Sequence, residues 1–93
     1  MKVRPDIVCY EFVGVDAEIT ESRHQNIVGT SGRIIDETRN TFIISSEGKK
    51  KIVAKDSSSF QFYFRDGTIV EIHGRLLVGR PEDRLKKNIR RLW

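Results

Sequence analysis

Two histidines, His24 and His73, are the side chains here best suited to pass a proton near neutral pH. As a pair they could serve as acid and base in cleaving a phosphodiester. They fall near the ends of different expected strands, and nothing in their spacing brings them together. His73 shares a strand face with Ile69 and Glu71, so an exposed or hydrogen-bonded strand histidine is the simpler reading. Asp36-Glu37 and Glu82-Asp83 are adjacent carboxylates. Neighbours on a strand point to opposite faces, so Asp36 and Glu37 do not grip one ion by alternation alone, and turn or capping roles fit both pairs better. Ser57-Ser58-Ser59 lacks the Gly-x-Ser-x-Gly elbow of a hydrolase, and the glycines do not build a phosphate loop ending in Lys-Ser/Thr. Cys9 has no histidine nearby and reads as a buried apolar thiol. One cysteine permits neither an internal disulfide nor a four-cysteine zinc site, and it suits a reducing cytoplasm. No catalytic residue and no metal-ligating set is expected in this chain.

The chemistry that remains is positive charge. The 93 residues carry 17 Lys and Arg against 13 Asp and Glu, a net charge of +4. Residues 1–78 hold 11 of each sign, so the whole excess lies in residues 79–93, where Arg80, Arg84, Lys86, Lys87, Arg90 and Arg91 outnumber Glu82 and Asp83. Lys49-Lys50-Lys51, with Lys55 close behind, makes a second basic spot. Such asymmetry is the footprint of a polyanion partner, of which nucleic acid is the commonest inside cells. Arg33, Arg39, Lys49, Lys50, Lys51, Lys55, Arg75, Arg80 and Arg84 fall at expected strand ends and turns, positions that would converge on one rim of a barrel. Arginine suits phosphate through its planar fork, and lysine supplies a point charge. Tyr63 and Trp93 are candidates to stack on a base, although core packing and a partner groove fit them at least as well.

The elements that must carry these cations read as short strands. Phe60, Phe62 and Phe64 alternate with polar neighbours, the period of a half-buried strand. Asp66-Gly67 follows, suited to a type I′ turn, and then the β-branched run Thr68–His73. Upstream, strands are expected at Arg33–Glu37 and Thr41–Ser45 about a Thr38-Arg39-Asn40 turn. Ser46-Glu47-Gly48 turns the chain into Lys50–Ala54, and an earlier strand spans Asp16–Arg23. Five or six short antiparallel strands with one apolar face are most economically buried as a curled sheet closed into a small barrel, which also removes exposed edges. One domain of this size is expected: an extension with a short helical stretch in residues 1–15, the barrel in 16–78, and a basic helix or tail in 79–93. Pro81 fits a first helical position, with Glu82 and Asp83 at the positive end of the dipole. Leu85, Ile89 and Leu92 then form an apolar stripe, and Arg84, Lys87 and Arg91 a basic one. A helix of about a dozen residues is marginal alone, so it is expected to fray until a partner covers its stripe. No run approaches the ~18 apolar residues of a membrane span, and the Lys2, Val3, Arg4, Pro5 start does not read as a signal peptide.

Three stretches carry a family resemblance: Glu11–Gly14, Val28–Thr41 and Gly74–Lys86. The spaced pattern Gly-x-x-Gly-x-Ile-x-Asp-Glu-Thr-x-Asn-Thr, met at Gly29–Thr41, and the block Arg80-Pro81-Glu82-Asp83-Arg84 resemble the archaeal ribonuclease P protein component 1 family over nearly the whole chain. The resemblance implies an all-β, Sm-like antiparallel barrel of about six strands, with short terminal helices and flexible termini whose order without partners the sequence leaves open. It implies a subunit of the ribonucleoprotein that removes 5′ leaders from precursor tRNA, in which the RNA and its Mg2+ ions carry the chemistry. It also implies a zinc-ribbon ribonuclease P protein as partner, alongside the other ribonuclease P proteins and, indirectly, precursor tRNA. Ile7, Tyr10 and Phe12 at one end, and Leu85, Ile89 and Leu92 at the other, are then candidate protein contacts.

The resulting expectation is a scaffold that binds ribonuclease P RNA through Arg33, Arg39, Lys49, Lys50, Lys51, Lys55, Arg75, Arg80, Arg84, Lys86, Lys87, Arg90 and Arg91. Its rivals are a ring-forming Sm-like protein on single-stranded RNA, a protein-binding adaptor, and a stand-alone nuclease using His24 and His73.

Overall fold

The computed structural model describes Ile7 and residues 10–80. Six strands succeed one another: β1 (Asp16–Ser22), β2 (Ser31–Glu37), β3 (Thr41–Ser46), β4 (Lys49–Ala54), β5 (Ser58–Tyr63) and β6 (Ile69–His73). They form one antiparallel sheet in the order β4-β3-β2-β1-β5-β6. Short 3-10 turns stand at Gln25–Ile27 and Gly74–Leu77. No helix among the described residues is long and apolar enough to cross a membrane.

The sheet curls tightly. β3 and β5 are three steps apart in strand order, which in a flat sheet means ~14 Å at the usual spacing. Yet the rings of Phe42 on β3 and Phe60 on β5 meet edge-to-face with centroids 5.2 Å apart. Two bulges assist the bend: pairing shifts register between Ile19 and Glu21 on β1, and between Ile34 and Asp36 on β2. Inward residues at period two (Ala17, Ile19, Ile34, Phe42, Ile44, Val53, Phe60, Phe62, Val70 and Ile72) fill the interior of the curl.

The expected closed barrel is not reached, although the all-β antiparallel class holds. β4 and β6, the two edges, do not pair with each other. The Gly74–Leu77 turn packs over the β4–β5 connection beside this seam. Leu77 is fully buried there, and a Cβ on Gly74 would sit 2.0 Å from the Lys55 carbonyl oxygen, so only glycine fits.

The turns also differ from expectation. Glu47 and Gly48 have φ of 52° and 77°, so the two-residue turn with left-handed residues at both centres joins β3 to β4. At the β5–β6 hairpin only Gly67 is left-handed (φ 89°). Gly67 N–H donates to Phe64 O (3.0 Å) and Phe64 N–H to Thr68 O (2.9 Å), which gives a three-residue loop in place of type I′.

Of the expected helical stretch ahead of β1, Ile7 stands in a 3-10 turn, and residues 1–6, 8 and 9 lie outside the described residues. Tyr10 N–H donates to Ile7 O and Val15 N–H to Phe12 O, each at 3.0 Å, as two separate turns. Gly14 N–H donates to Ile34 O (2.7 Å) and Ile34 N–H to Val15 O (2.9 Å), which stitches the segment to β2. Phe12 is fully buried, stacked on Phe62, and Ile7 is also in the core. These two expected partner contacts are core residues instead, because the open curl needs a large apolar plug; Tyr10 alone of the three remains exposed. The C-terminal helix, with Leu85, Ile89 and Leu92, lies outside the described residues.

Candidate nucleic-acid interface

The turn between β2 and β3 organises one end of the molecule. Thr38 N–H donates to Thr41 O (2.9 Å), Thr41 N–H donates to Thr38 Oγ1 (3.1 Å), and the two hydroxyls lie 2.6 Å apart. Asp36 Oδ1 accepts from Glu37 N–H (2.8 Å), the turn-type role that its sequence suggests. Arg39 stands exposed at the tip.

Beneath this turn lies Lys55. Its side chain is sealed from water, and Nζ donates to Glu37 Oε2 (2.6 Å), Thr38 O (2.8 Å), Gly79 O (3.0 Å) and, more weakly, Arg39 O (3.4 Å). It also lies 4.7 Å from the Phe42 ring centroid. The sequence places Lys55 among the RNA contacts, and the structure corrects this. The cause is plain: a buried charge must be paired, and the described acceptors, Glu37, Thr38, Arg39 and Gly79, meet this one from within its own chain. Its main chain continues the knot, with Lys55 N–H donating to Asn40 O (2.9 Å).

Around this node the exposed arginines gather. Gly79 N–H donates to Arg39 O (2.6 Å), so the exposed residues Arg39 and Arg80 leave from adjoining pieces of chain. Arg75 follows Gly74, which is pressed against the Lys55 and Ser58 carbonyls. Arg75 also lines a groove with Arg23, Glu21, Asp56, Ser57 and His73. Arg23, whose N–H donates to Ser57 O (3.1 Å), is absent from the sequence-based set. Only its place at the end of β1, facing the β4–β5 connection, reveals it.

Arg33 and Lys49–Lys51 form a second patch. Lys49, Lys50 and Lys51 are exposed on edge strand β4, with Lys50 opposite Ser45 and Ser45 opposite Arg33. Arg33 Nε meets Asp16 Oδ1 at 3.4 Å, with both side chains more than half exposed, a contact that water screens strongly. Lys50 and Lys55 are five residues apart on an extended chain, ~17 Å. Among the described residues, the cations expected on one rim thus occupy two patches toward opposite ends of β4. Ile52, 73% exposed and paired with Ile43, adds an aliphatic outer strip beside the lysines. Arg84, Lys86, Lys87, Arg90, Arg91 and Trp93 lie outside the described residues.

The outer face of β1, β5 and β6 has the opposite sign. Glu18 stands opposite Gln61, and Gln61 opposite Glu71. Tyr63 OH lies 2.9 Å from Gln61 Oε1 and 3.2 Å from Glu18 Oε1. Partial burial, followed by the hydrogen bond and charge of Glu18, pushes the Tyr63 phenol above its ordinary value. Tyr63 is therefore engaged with an acidic strip, a poor place for a phosphate chain.

His24 and His73 are both exposed, and His73 Nδ1 accepts from Arg75 N–H (3.2 Å). His73 lines the serine groove, and His24 is not among the residues that line it. No group of three or more His, Cys, Asp or Glu among the described residues is placed to hold a metal ion.

The model of the ribonuclease P/MRP subunit p29 family matches residues 5–87. The chain belongs to that family. Ribonuclease P protein component 1 of Methanocaldococcus jannaschii is 42% identical over 89 residues, which span 95% of this chain and 93% of that protein. The namesake from Methanothermobacter thermautotrophicus is 44% identical over 87 residues, 92% and 94% of the two chains. A solved structure, Mth11, described as a homologue of the human RNase P protein Rpp29, superposes with a TM-score of 0.61 at 45% identity. It covers 81% of this chain and 97% of its own. The p29 match takes in all six strands and the Lys55 node.

Proposed function

We propose that this p29-family chain is the subunit of ribonuclease P that binds and braces the catalytic RNA, and that it contributes no bond-breaking group to tRNA 5′ maturation. The observation that carries this reading is the sorting of charge. Exposed Arg39, Arg75 and Arg80 are rooted in a node that is itself neutralised internally, Lys49–Lys51 line an edge, and Glu18 and Glu71 share a separate face about Gln61. Folded RNA crowds phosphates together, and cations on a rigid scaffold relieve that repulsion while releasing counterions. Recognition would rest on RNA shape more than on base edges.

Mg2+ would sit at the RNA, where the chemistry is done. A zinc-ribbon ribonuclease P protein would be the direct protein partner, meeting Tyr10, the Ile52 strip and the C-terminal Leu85, Ile89 and Leu92. Other ribonuclease P proteins and precursor tRNA would join through the assembly, in the cytoplasm. Ring assembly on single-stranded RNA is disfavoured by β4 itself, since three consecutive lysines on an open edge repel a second copy.

Reconstitution tests the reading. Added with its zinc-ribbon partner to ribonuclease P RNA, the chain is expected to lower the magnesium needed for precursor-tRNA cleavage. An unchanged magnesium requirement, or cleavage by the polypeptide without RNA, would refute it.

A further inference from the structure

Lysine is a costly residue to bury, and nothing about packing beneath the β2–β3 turn demands one. What distinguishes Lys55 is the set of chain segments that its ammonium joins: the end of β2 at Glu37, the turn at Thr38 and Arg39, and the chain at Gly79, 24 residues downstream. An apolar side chain would fill the space but could not hold three carbonyl oxygens and a carboxylate at one point. The Gly79 N–H to Arg39 O bond closes the same knot from the other side.

We infer that Lys55 is a positioning residue: its buried ammonium clamps the Thr38–Asn40 turn to Gly79, so that Arg39 and Arg80 are presented to RNA phosphates as a pair with fixed roots. This rests on the RNA-binding reading above and adds a device to it. Without the clamp each arginine would have to be ordered at the moment of binding, and that cost would be subtracted from affinity. Lys55 thus serves RNA without touching it.

The test compares the full chain with Lys55→Met/Glu37→Leu, which removes both charges so that neither is left buried alone. Binding to transcribed ribonuclease P RNA is measured across a salt series. The slope of log affinity against log salt is expected to fall by about two in the clamp variant, one for each arginine that no longer holds its phosphate. Arg39→Gln/Arg80→Gln should lower the slope by about two in the native chain and leave it nearly unchanged in the clamp variant. A folded clamp variant with the native slope, and with the arginine effect undiminished, overturns the inference. Amide exchange at Gly79 in the native chain supplies a measurement that needs no variant to fold. Protection is expected, and exchange at the rate of a free amide overturns the clamp. A native chain with no salt-dependent binding would overturn the RNA reading and the clamp's role in it together. That failure is told apart from failure of the clamp by Gly79 protection that survives it.

Discussion

Phe12 lies stacked on Phe62, ring centroids 4.3 Å apart, and also meets Phe42 edge-to-face at 6.1 Å. This contact turns the segment ahead of β1 from an appendage into the plug of an unclosed sheet. Phe12→Ala is expected to cost ~3–5 kcal/mol, the range for removing a buried phenylalanine. Tyr10→Ala, at a half-exposed ring, should cost far less. Urea unfolding with a shared m-value separates the two, and equal small losses would show that Phe12 is not in the core.

Lys55 alone and Lys55 with its partner should behave differently. Lys55→Met leaves Glu37 buried without its ammonium, and breaking such a pair from one side costs ~3–5 kcal/mol. Lys55→Met/Glu37→Leu should recover a good part of that loss, since two apolar groups replace two desolvated charges. Thermal unfolding of the single and double variants gives the coupling directly. A double variant no more stable than Lys55→Met would contradict the pairing.

Gly74→Ala tests the seam. The added methyl would meet the Lys55 and Ser58 carbonyl oxygens at 2.0 and 2.6 Å, both of them main-chain atoms that cannot swing aside. The Gly74–Leu77 turn must then lift, exposing Leu77, and a loss of ~1–3 kcal/mol or more is expected. Gly67→Ala, in open space but at positive φ, should cost about 1 kcal/mol. Comparable losses at both glycines would argue against close packing of the turn on the β4–β5 connection.

Much of the sheet was legible because alternation is a local signal. Phe60 and Phe62 point inward as their spacing demands, and Val70 and Ile72 do the same on β6. The Asp36–Thr41 stretch stood out as a motif, but its purpose did not: it frames a lysine 18 residues beyond Glu37, and sequence spacing carries no information about that meeting. Lys55 follows a run of exposed lysines and so reads as one more surface charge. Phe12 was ambiguous for a related reason, since an aromatic residue in an end segment looks the same whether it fills its own core or a partner's. The left-handed Glu47 went unforeseen because Glu does not favour that region; tight closure of β3 on β4 imposes it. The seam between β4 and β6 could not be read at all, because the number of strands does not say whether the last one meets the first.

The two cationic patches can be weighed against each other. Lys49→Glu/Lys50→Glu alters an exposed edge, and Arg75→Glu/Arg80→Glu alters the node's surface. Each pair should leave the unfolding midpoint within about 0.5 kcal/mol of native, as surface changes do. Each should also lower the salt slope for ribonuclease P RNA by about one for every phosphate that is no longer neutralised. Glu18→Gln/Glu71→Gln on the acidic face should leave that slope unchanged. If the acidic-face variant moved the slope as much as the lysine variant, RNA would be reading net charge rather than these patches.

Tyr63 gives a test of the acidic face that needs no RNA. Its phenol is held above the ordinary value of 10.0 by partial burial, then by the Glu18 hydrogen bond and charge. A group whose folded value is raised binds its proton more tightly in the folded state. The associated stability is therefore complete below the unfolded tyrosine value, and it is lost as pH rises through the folded one. Titration of phenolate absorbance should show Tyr63 ionising later than a free tyrosine, with Tyr63→Phe used to assign the signal. Glu18→Gln should move it back toward 10.0 by removing the charge while keeping an acceptor within reach. A Tyr63 titration indifferent to Glu18→Gln would mean that the two side chains do not meet across β1 and β5.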